Sequence, residues 1–370
     1  MDWKYMTITK NQIIRILNKS DDYHEQFRDE IDQLSTSAKP EDLELRSTHL
    51  ENIKNLFDQS RHEIITLAST AQPGEIEKKF SDIIDKCPDK WQRNRVVSAL
   101  GWIKTEPAEK ILIQLLDDTD PMIQETSIII LGELGSKKAE DKILSFLDSN
   151  DFDLKFSAVD AAGNLRSEKA IDTLIAIVYA DEEDCDDIQI RQHVACALGK
   201  IGTERALDYL VDLLYYDRPG VQDYAFESLS KNETVDITER LERVVNDTWY
   251  IHKKERKSKH RMIPRDSALV LLIQKKYRND EDKLIELLDE KGSFVKDTAA
   301  TALANLKSVK AEDKLIKLLT DEDSMVVTSA INGLQVIKSK KAEKKLVELL
   351  NHKDDLVRSY AKRALDDIRS

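Results

Sequence analysis

Nine positions along the chain recur at an almost constant step. Leu100, Leu131, Ala162, Leu198, Leu229, Leu272, Leu303, Leu334 and Leu365 stand 31, 31, 36, 31, 43, 31, 31 and 31 residues apart. A second ladder, an apolar pair ending at Leu116, Leu147, Val178, Leu214, Val245, Leu288, Leu319 and Leu350, has steps of 31, 31, 36, 31, 43, 31 and 31. The two ladders share their irregularities, so they mark one repeating unit. Each unit reads as two helices. The first resembles AEDKLIKLLTDED (311–323), with Leu315, Ile316, Leu318 and Leu319 on one stripe. A turn with Asp321 and Asp323 follows, and then a helix carrying the anchor. Four residues before the anchors stand Val96, Ser127, Ala158, Val194, Ala225, Ala268, Ala299, Ala330 and Ala361; six of the nine are alanine, which lets helices approach closely. A single helix pair cannot bury its own apolar face, so the units must stack on one another.

Composition agrees. The chain has 10 glycines and 7 prolines in 370 residues, well below the usual roughly 12%. An all-β chain needs more turn residues. The fragments VACALGKIG (194–202) and IIILGELG (128–135) carry a resemblance to HEAT-like repeats of the phycobilisome-lyase type. It covers about residues 74–370 in nine units. It implies an all-α fold, a right-handed α-α superhelix or HEAT-like solenoid of about nine helix pairs, here with an N-terminal helical cap. It says little about function, because repeat folds host many activities.

Residues 1–72 break the period. Ile13, Ile14, Ile16 and Leu17 suggest a short helix, and Tyr23, Phe27, Ile31 and Leu34 another that ends before Pro40. A long helix is expected over 41–70, with Leu43, Leu50, Phe57 and Ile64 seven apart; Arg46 and Ser60 spoil the second seam position. That pattern suits a cap on the first repeat better than a coiled-coil dimer. The solenoid is assigned to 73–370, with insertions at about 180–187 and 249–261, where the steps lengthen.

Both insertions fall between the first and second helices of their units, and so on one rim. The acidic one carries Asp181, Glu182, Glu183, Asp184, Asp186 and Asp187. The basic one carries Trp249, Tyr250, Lys253, Lys254, Arg256, Lys257, Lys259 and Arg261. Loops of a repeat array are common binding elements, so both groups are candidate protein-binding residues. The acidic loop lacks the glycine and final glutamate of a calcium loop.

Seven residues before the anchors stand Arg93, Gln124, Lys155, Arg191, Gln222, Arg265, Lys296, Val327 and Arg358. This basic column is expected to pair with turn aspartates such as Asp120, Asp187 or Asp354. In the HEAT-like family the second helices line the concave face. At 100° per residue, positions −6, −2 and +1 from the anchor point away from the core. There stand Glu125, Asp160, Asp223, Glu227, Asp266 and Asp297, candidate protein-binding acids, together with Asp366, Arg363, Gly101, Gly132, Gly163 and Gly199. The groove is expected to be mildly acidic.

No catalytic constellation emerges. HEAT-like hydroxylases hold two irons through His-Glu dipeptides on second helices. Here His24–Glu25 and His62–Glu63 precede the repeats, and His193 is followed by Val194. Phosphate-loop, dinucleotide and nucleophile-elbow motifs are absent. The net charge of −13 disfavours nucleic acid and anionic membranes. Cys87, Cys185 and Cys196 have no CxxC spacing, which suggests a reducing compartment and no zinc site. The longest apolar run is Ala268–Ile273, and a membrane helix needs about 20 residues. The expectation is a cytoplasmic scaffold that binds another protein and uses no cofactor. A lyase-like factor acting on a protein-bound group is the second reading, and nucleic-acid binding through the basic insertion the third. The oligomeric state is left open.

Overall fold

Repetition in the sequence becomes repetition of helix pairs in the computed structural model. It describes residues 9–22, 25–27, 40–72, 74–180, 185–215, 220–246 and 264–370; for 40–43 and 185–187 it describes only the backbone. No strand occurs among the described residues. The chain is an all-α solenoid. At the N-terminal end lie α1 (Lys10–Leu17) and α2 (Pro40–Thr70), with helical turns also at 19–22 and 25–27. The pairs then run α3 (Glu75–Lys86) with α4 (Lys90–Ile103), α5 (Glu106–Leu115) with α6 (Pro121–Leu134), α7 (Glu140–Leu144) with α8 (Phe152–Asn164), and α9 (Ile171–Tyr179) with α10 (Cys185–Ile201). They continue as α11 (Glu204–Leu213) with α12 (Val221–Lys231), α13 (Thr238–Asn246) with α14 (Pro264–Leu272), and α15 (Glu281–Leu287) with α16 (Ser293–Asn305). The last are α17 (Glu312–Leu318) with α18 (Ser324–Val336) and α19 (Glu343–Leu349) with α20 (Asp355–Arg369). By contact the chain divides into Met1–Ala197 and Leu198–Ser370, a boundary inside α10.

Each pair is built the same way. All nine anchors are at most 3% exposed, and all nine residues four before them are at 0%. The small column packs where its volume allows. The second helix starts at an aspartate eleven before the anchor: Asp89, Asp120, Asp151, Asp323 and Asp354 each accept a backbone N–H of the first turn. Such caps are worth roughly 1 kcal/mol each. It ends four after the anchor in a left-handed residue: Lys104, Gly135, Arg166, Gly202, Lys307 and Lys338 have φ between 50° and 70°. In four of these turns the anchor carbonyl accepts the next N–H, as from Ser136 to Leu131 and from Ser339 to Leu334, both at 3.0 Å. This is the 6→1 bond of a Schellman ending.

Neighbouring second helices touch at +1. A Cβ on Gly132 would stand 2.7 Å from the Cβ of Ala161, and one on Gly199 2.7 Å from that of Ser228. The expectation that the +1 glycines face the groove is therefore corrected. The next second helix crosses there, and glycine admits it.

The N-terminal helices pack on the first pair. Ser60 is buried and its hydroxyl donates to the carbonyl of Ile16 at 2.6 Å. Phe57 meets Trp102 edge-on at 5.2 Å, and Arg95 donates to Asn18 at 2.9 Å. The seven-residue stripe of α2 does not stay on one side of the contact. Ile64 is fully buried, while Leu50 and Phe57 are 48% and 45% exposed. A straight helix drifts about 20° per heptad, so a stripe buried at one end rotates outward at the other. The second N-terminal helix expected around Tyr23–Leu34 lies mostly outside the described residues.

Candidate functional site

The basic column does not turn toward the groove. Arg93 donates to Asp118 at 2.6 Å and to the carbonyl of Ile84 at 3.0 Å. Arg265 grips Glu290 with two bonds of 2.8 and 2.9 Å, and Lys296 pairs with Asp321. Each carboxylate lies 25 residues ahead, in the turn of the next unit. Gln124 and Gln222 instead donate to the carbonyls of Leu116 and Leu214 that end the preceding helix, at 3.1 and 2.7 Å. Arg191, 1% exposed, donates to Ala180 O at 2.7 Å, and Arg358 reaches His352 O and Asp355. The pairing expectation is corrected in its partners. Asp120 and Asp354 are occupied as helix caps, and the side chain of Asp187 is outside the description. A long cation reaches past its own cap to the turn beyond.

With these cations committed to the fold, the outward face of the second helices keeps its acids. They do not project freely. Asp160 Oδ1 accepts from the ring Nδ1 of His193, 2.8 Å away. Asp297 accepts the hydroxyl of Ser329 at 2.5 Å. Glu125 is hydrogen-bonded to Ser157. In every case the acid at −6 or −2 meets the residue at −5 of the next second helix, so these side chains also staple neighbouring helices. Burial pushes the Glu125 carboxyl above its ordinary value, and the nearby Asp153 and Asp151 push it further. Burial likewise raises Asp297, with Asp323 adding to it and the Ser329 bond opposing. Among the charged neighbours acting on either group, all are carboxylates.

The remaining predicted acids are dispersed. Asp223 is exposed, and Glu227 accepts from Lys231 one turn away. Asp266 presses on Gly292, where any Cβ would stand 2.2 Å from its Oδ2. Gly292 occupies the cap position that holds aspartate in other units, and it makes no side-chain cap. Of the rim residues, Asp181, Glu182, Glu183 and Asp184 lie outside the described residues. So do Trp249, Tyr250, Lys253, Lys254, Arg256, Lys257, Lys259 and Arg261. Asp186 and Asp187 fall in α10 with side chains undescribed. In the element order, residues 181–184 fall between α9 and α10, and 247–263 between α13 and α14.

Sequence reasoning missed a cluster of rings on the same face. On α8, Phe152 and Phe156 have centroids 5.8 Å apart, and Phe156 lies 4.1 Å from the ring of His193. It also missed the ion pairs between first helices. Lys138 reaches back to Glu106 and Glu109, Lys169 to Glu140 and Asp141, and Lys341 to Glu312 and Asp313. Their recurrence seven after the anchor was the available signal. Elsewhere, Lys275 sits in the π-helical turn Ile273–Tyr277 and donates to the carbonyls of Ser230 and Asn232 at the end of α12. Burial lowers its pKa. The two carbonyls hold it as a cap. Among the described residues no group of three or more His, Cys, Asp or Glu is placed to hold a metal, and no helix is long and apolar enough to cross a membrane.

The family model for HEAT repeats matches residues 77–153, 108–185, 140–230 and 281–366, more than half of the chain. The chain belongs to the HEAT repeat family. No curated protein sequence matches it. Similar solved structures include an engineered protein, 19% identical over 98% of this chain and 95% of that one with a TM-score of 0.36. Human deoxyhypusine hydroxylase in complex with glycerol is 16% identical over 79% and 96%, with a TM-score of 0.30. A second engineered protein is 22% identical over 70% and 96%, with a TM-score of 0.23.

Proposed function

We propose that this HEAT-repeat chain is a protein-binding scaffold whose second-helix face receives a basic segment of its partner. One observation carries the reading. Arg93, Arg191, Arg265, Lys296 and Arg358 of the column are committed to turn carboxylates and helix-end carbonyls, while Glu125 and Asp297 stay half-buried beside other carboxylates. Two like charges in a low-dielectric setting repel, and a cation placed between them relieves the repulsion. A partner rich in Lys or Arg gains what the fold itself leaves unused, and a polyanion is repelled. The charged insertions join this reading by sequence alone, as rim residues able to add complementary contacts. We read α1 and α2 as the cap of the first repeat, since a solenoid end needs covering. The phycobilisome-lyase subtype and a cytoplasmic setting belong to the same reading and rest on the fragments and composition already given.

Capture from the native host, followed by mass spectrometry, tests it. The full chain should retain a stoichiometric protein that salt releases, and the combined Glu125→Gln, Asp160→Asn and Asp297→Asn variant should lose it. Undiminished capture by the folded triple variant, or recovery of nucleic acid in place of protein, would refute the reading.

A further inference from the structure

The rings and the acids of the second-helix face converge at one place, on α8 between α6 and α10. Phe152, Phe156 and Asp160 follow one another at four-residue intervals and share a face of α8. Phe156 is half-buried, with the His193 ring on one side at 4.1 Å. Asp160 lies beside that ring, its side chain 35% exposed. On the other side α6 brings Glu125, bonded to Ser157, the residue after Phe156. One turn further along α6, Ile129 is 40% exposed. A half-buried aromatic ring flanked by carboxylates, with an exposed aliphatic side chain one turn along α6 from Glu125, is complementary to a cation next to an apolar group.

We infer that this face docks a partner-protein segment in which an arginine or lysine adjoins an apolar residue, the cation lying on Phe156 between Glu125 and Asp160 and the apolar neighbour on Ile129. The inference rests on the scaffold reading above and narrows it to one surface and one kind of side chain. Charge complementarity selects the occupant. Around Phe156 stand Asp160 with His193, and Glu125, which is bonded to the adjacent Ser157 and has Asp153 and Asp151 acting on it; Lys155, the cation of α8, precedes Phe156 by one residue and so leaves the helix about 100° away from it. A cation over a ring is attracted by the negative π face, and the attraction grows as water is excluded. Neighbouring carboxylates add a charge-assisted bond. The guanidinium of arginine, planar and weakly hydrated, suits both. A neutral or acidic peptide would leave the carboxylates desolvated without compensation.

The test uses the full chain and random short peptides displayed on phage. Selected peptides should share a Lys or Arg beside an apolar residue. Each is then synthesised, together with a version in which the cation is Gln, and titrated calorimetrically. Phe156→Leu, which keeps an apolar side chain and removes the ring, should weaken binding by about tenfold. Glu125→Gln, which can still accept from Ser157, should weaken it by a similar factor and reduce its salt dependence. Glu348→Gln, exposed on α19 and outside the proposed surface, should leave it unchanged. Melting curves establish that each variant is folded, and if Phe156→Leu is not, Glu125→Gln and the Gln peptide carry the test. Cationic peptides whose binding ignores both Phe156→Leu and Glu125→Gln would overturn this site while leaving the broader scaffold reading in place. Enrichment of only neutral or acidic peptides would overturn both.

Discussion

Four of the six left-handed helix endings are occupied by the wrong kind of residue for that backbone. Lys104, Arg166, Lys307 and Lys338 hold φ of 50–54°, where Gly135 and Gly202 hold 70° and 67° at the equivalent position. The left-handed conformation costs a residue with a Cβ roughly 1–2 kcal/mol. Glycine escapes that cost but loses about 0.5–1 kcal/mol through its freer unfolded chain. The net gain from glycine is therefore about 0.5–1 kcal/mol per site. All four side chains are exposed, and no ion pair to any of them occurs among the described residues. Two sites lie in each unit, so Lys104→Gly with Arg166→Gly, and Lys307→Gly with Lys338→Gly, should each add about 1–2 kcal/mol if the effects sum. At about 2–4 °C per kcal/mol for a unit of this size, the melting temperature of that unit should rise by roughly 2–8 °C. Thermal and urea unfolding followed by circular dichroism measure it. Long repeat arrays can lose two-state behaviour, so midpoints are to be compared at equal slope. Either double variant melting at or below the parent would refute the reasoning. It would mean that the lysine stems contribute more packing than the backbone strain removes.

Other consequences follow from the same geometry. Gly132→Ala should destabilise by about 1–3 kcal/mol, because the new methyl meets the Cα and Cβ of Ala161 at 2.9 and 2.7 Å. Gly101→Ala should also destabilise, since its methyl meets the γ-branch methyl of buried Ile130 at 2.7 Å and a β-branched side chain in a helix holds one rotamer, though the gain of about 1 kcal/mol in helix propensity offsets part of the cost; a thermal melt at or above the parent for either variant would disprove the argument. The Arg265 bonds hold the Glu290 carboxyl below its ordinary value, so its contribution is present above the unfolded-state pKa and is lost as pH falls through the lower folded one. Arg265→Met should lower stability at neutral pH and flatten the acid limb of the stability curve; an unchanged limb would show that the pair contributes nothing. Asp297 has the opposite sign. Its cost is absent below the unfolded-state pKa and complete above the raised folded one, so Asp297→Asn should raise the melting temperature at neutral pH and not in acid.

The anchors were legible because a buried leucine tolerates little else. Every one predicted from spacing is buried, and so are the small residues that precede them by four. The ends of the second helices were only half legible. Gly135 and Gly202 announce the left-handed turn, but Lys and Arg conceal it at four other units, and only the period relates them. The basic column was visible as a column, and its direction was not. A helical wheel gives the angle at which Arg265 leaves its helix, yet a long side chain can bend to any acceptor within reach. Glu290 is 25 residues away, in a turn whose place depends on the stacking of the next unit. The +1 glycines failed for a related reason. The wheel divides core from solvent, while a second helix in a solenoid also has lateral neighbours, and Ala161 occupies the side that the wheel leaves open. The ring cluster escaped because Phe156 and His193 stand at different repeat positions and meet only when α8 and α10 lie side by side.

The same lateral packing explains why the candidate surface and the fold share residues. Asp160 bonds His193 and Glu125 bonds Ser157, each across a helix boundary. Such a bond fixes the carboxylate in place and so removes part of the entropic cost of ordering a free side chain on binding. Burial first, and neighbouring carboxylates second, disfavour the charged forms of Glu125 and Asp297. A solenoid that needed these residues only as staples would be better served by Gln or Asn, which make the same hydrogen bond without the charge. Under the scaffold reading proposed above, the charge kept at Glu125 and Asp160 is the feature a cationic segment would recognise, at some cost in stability.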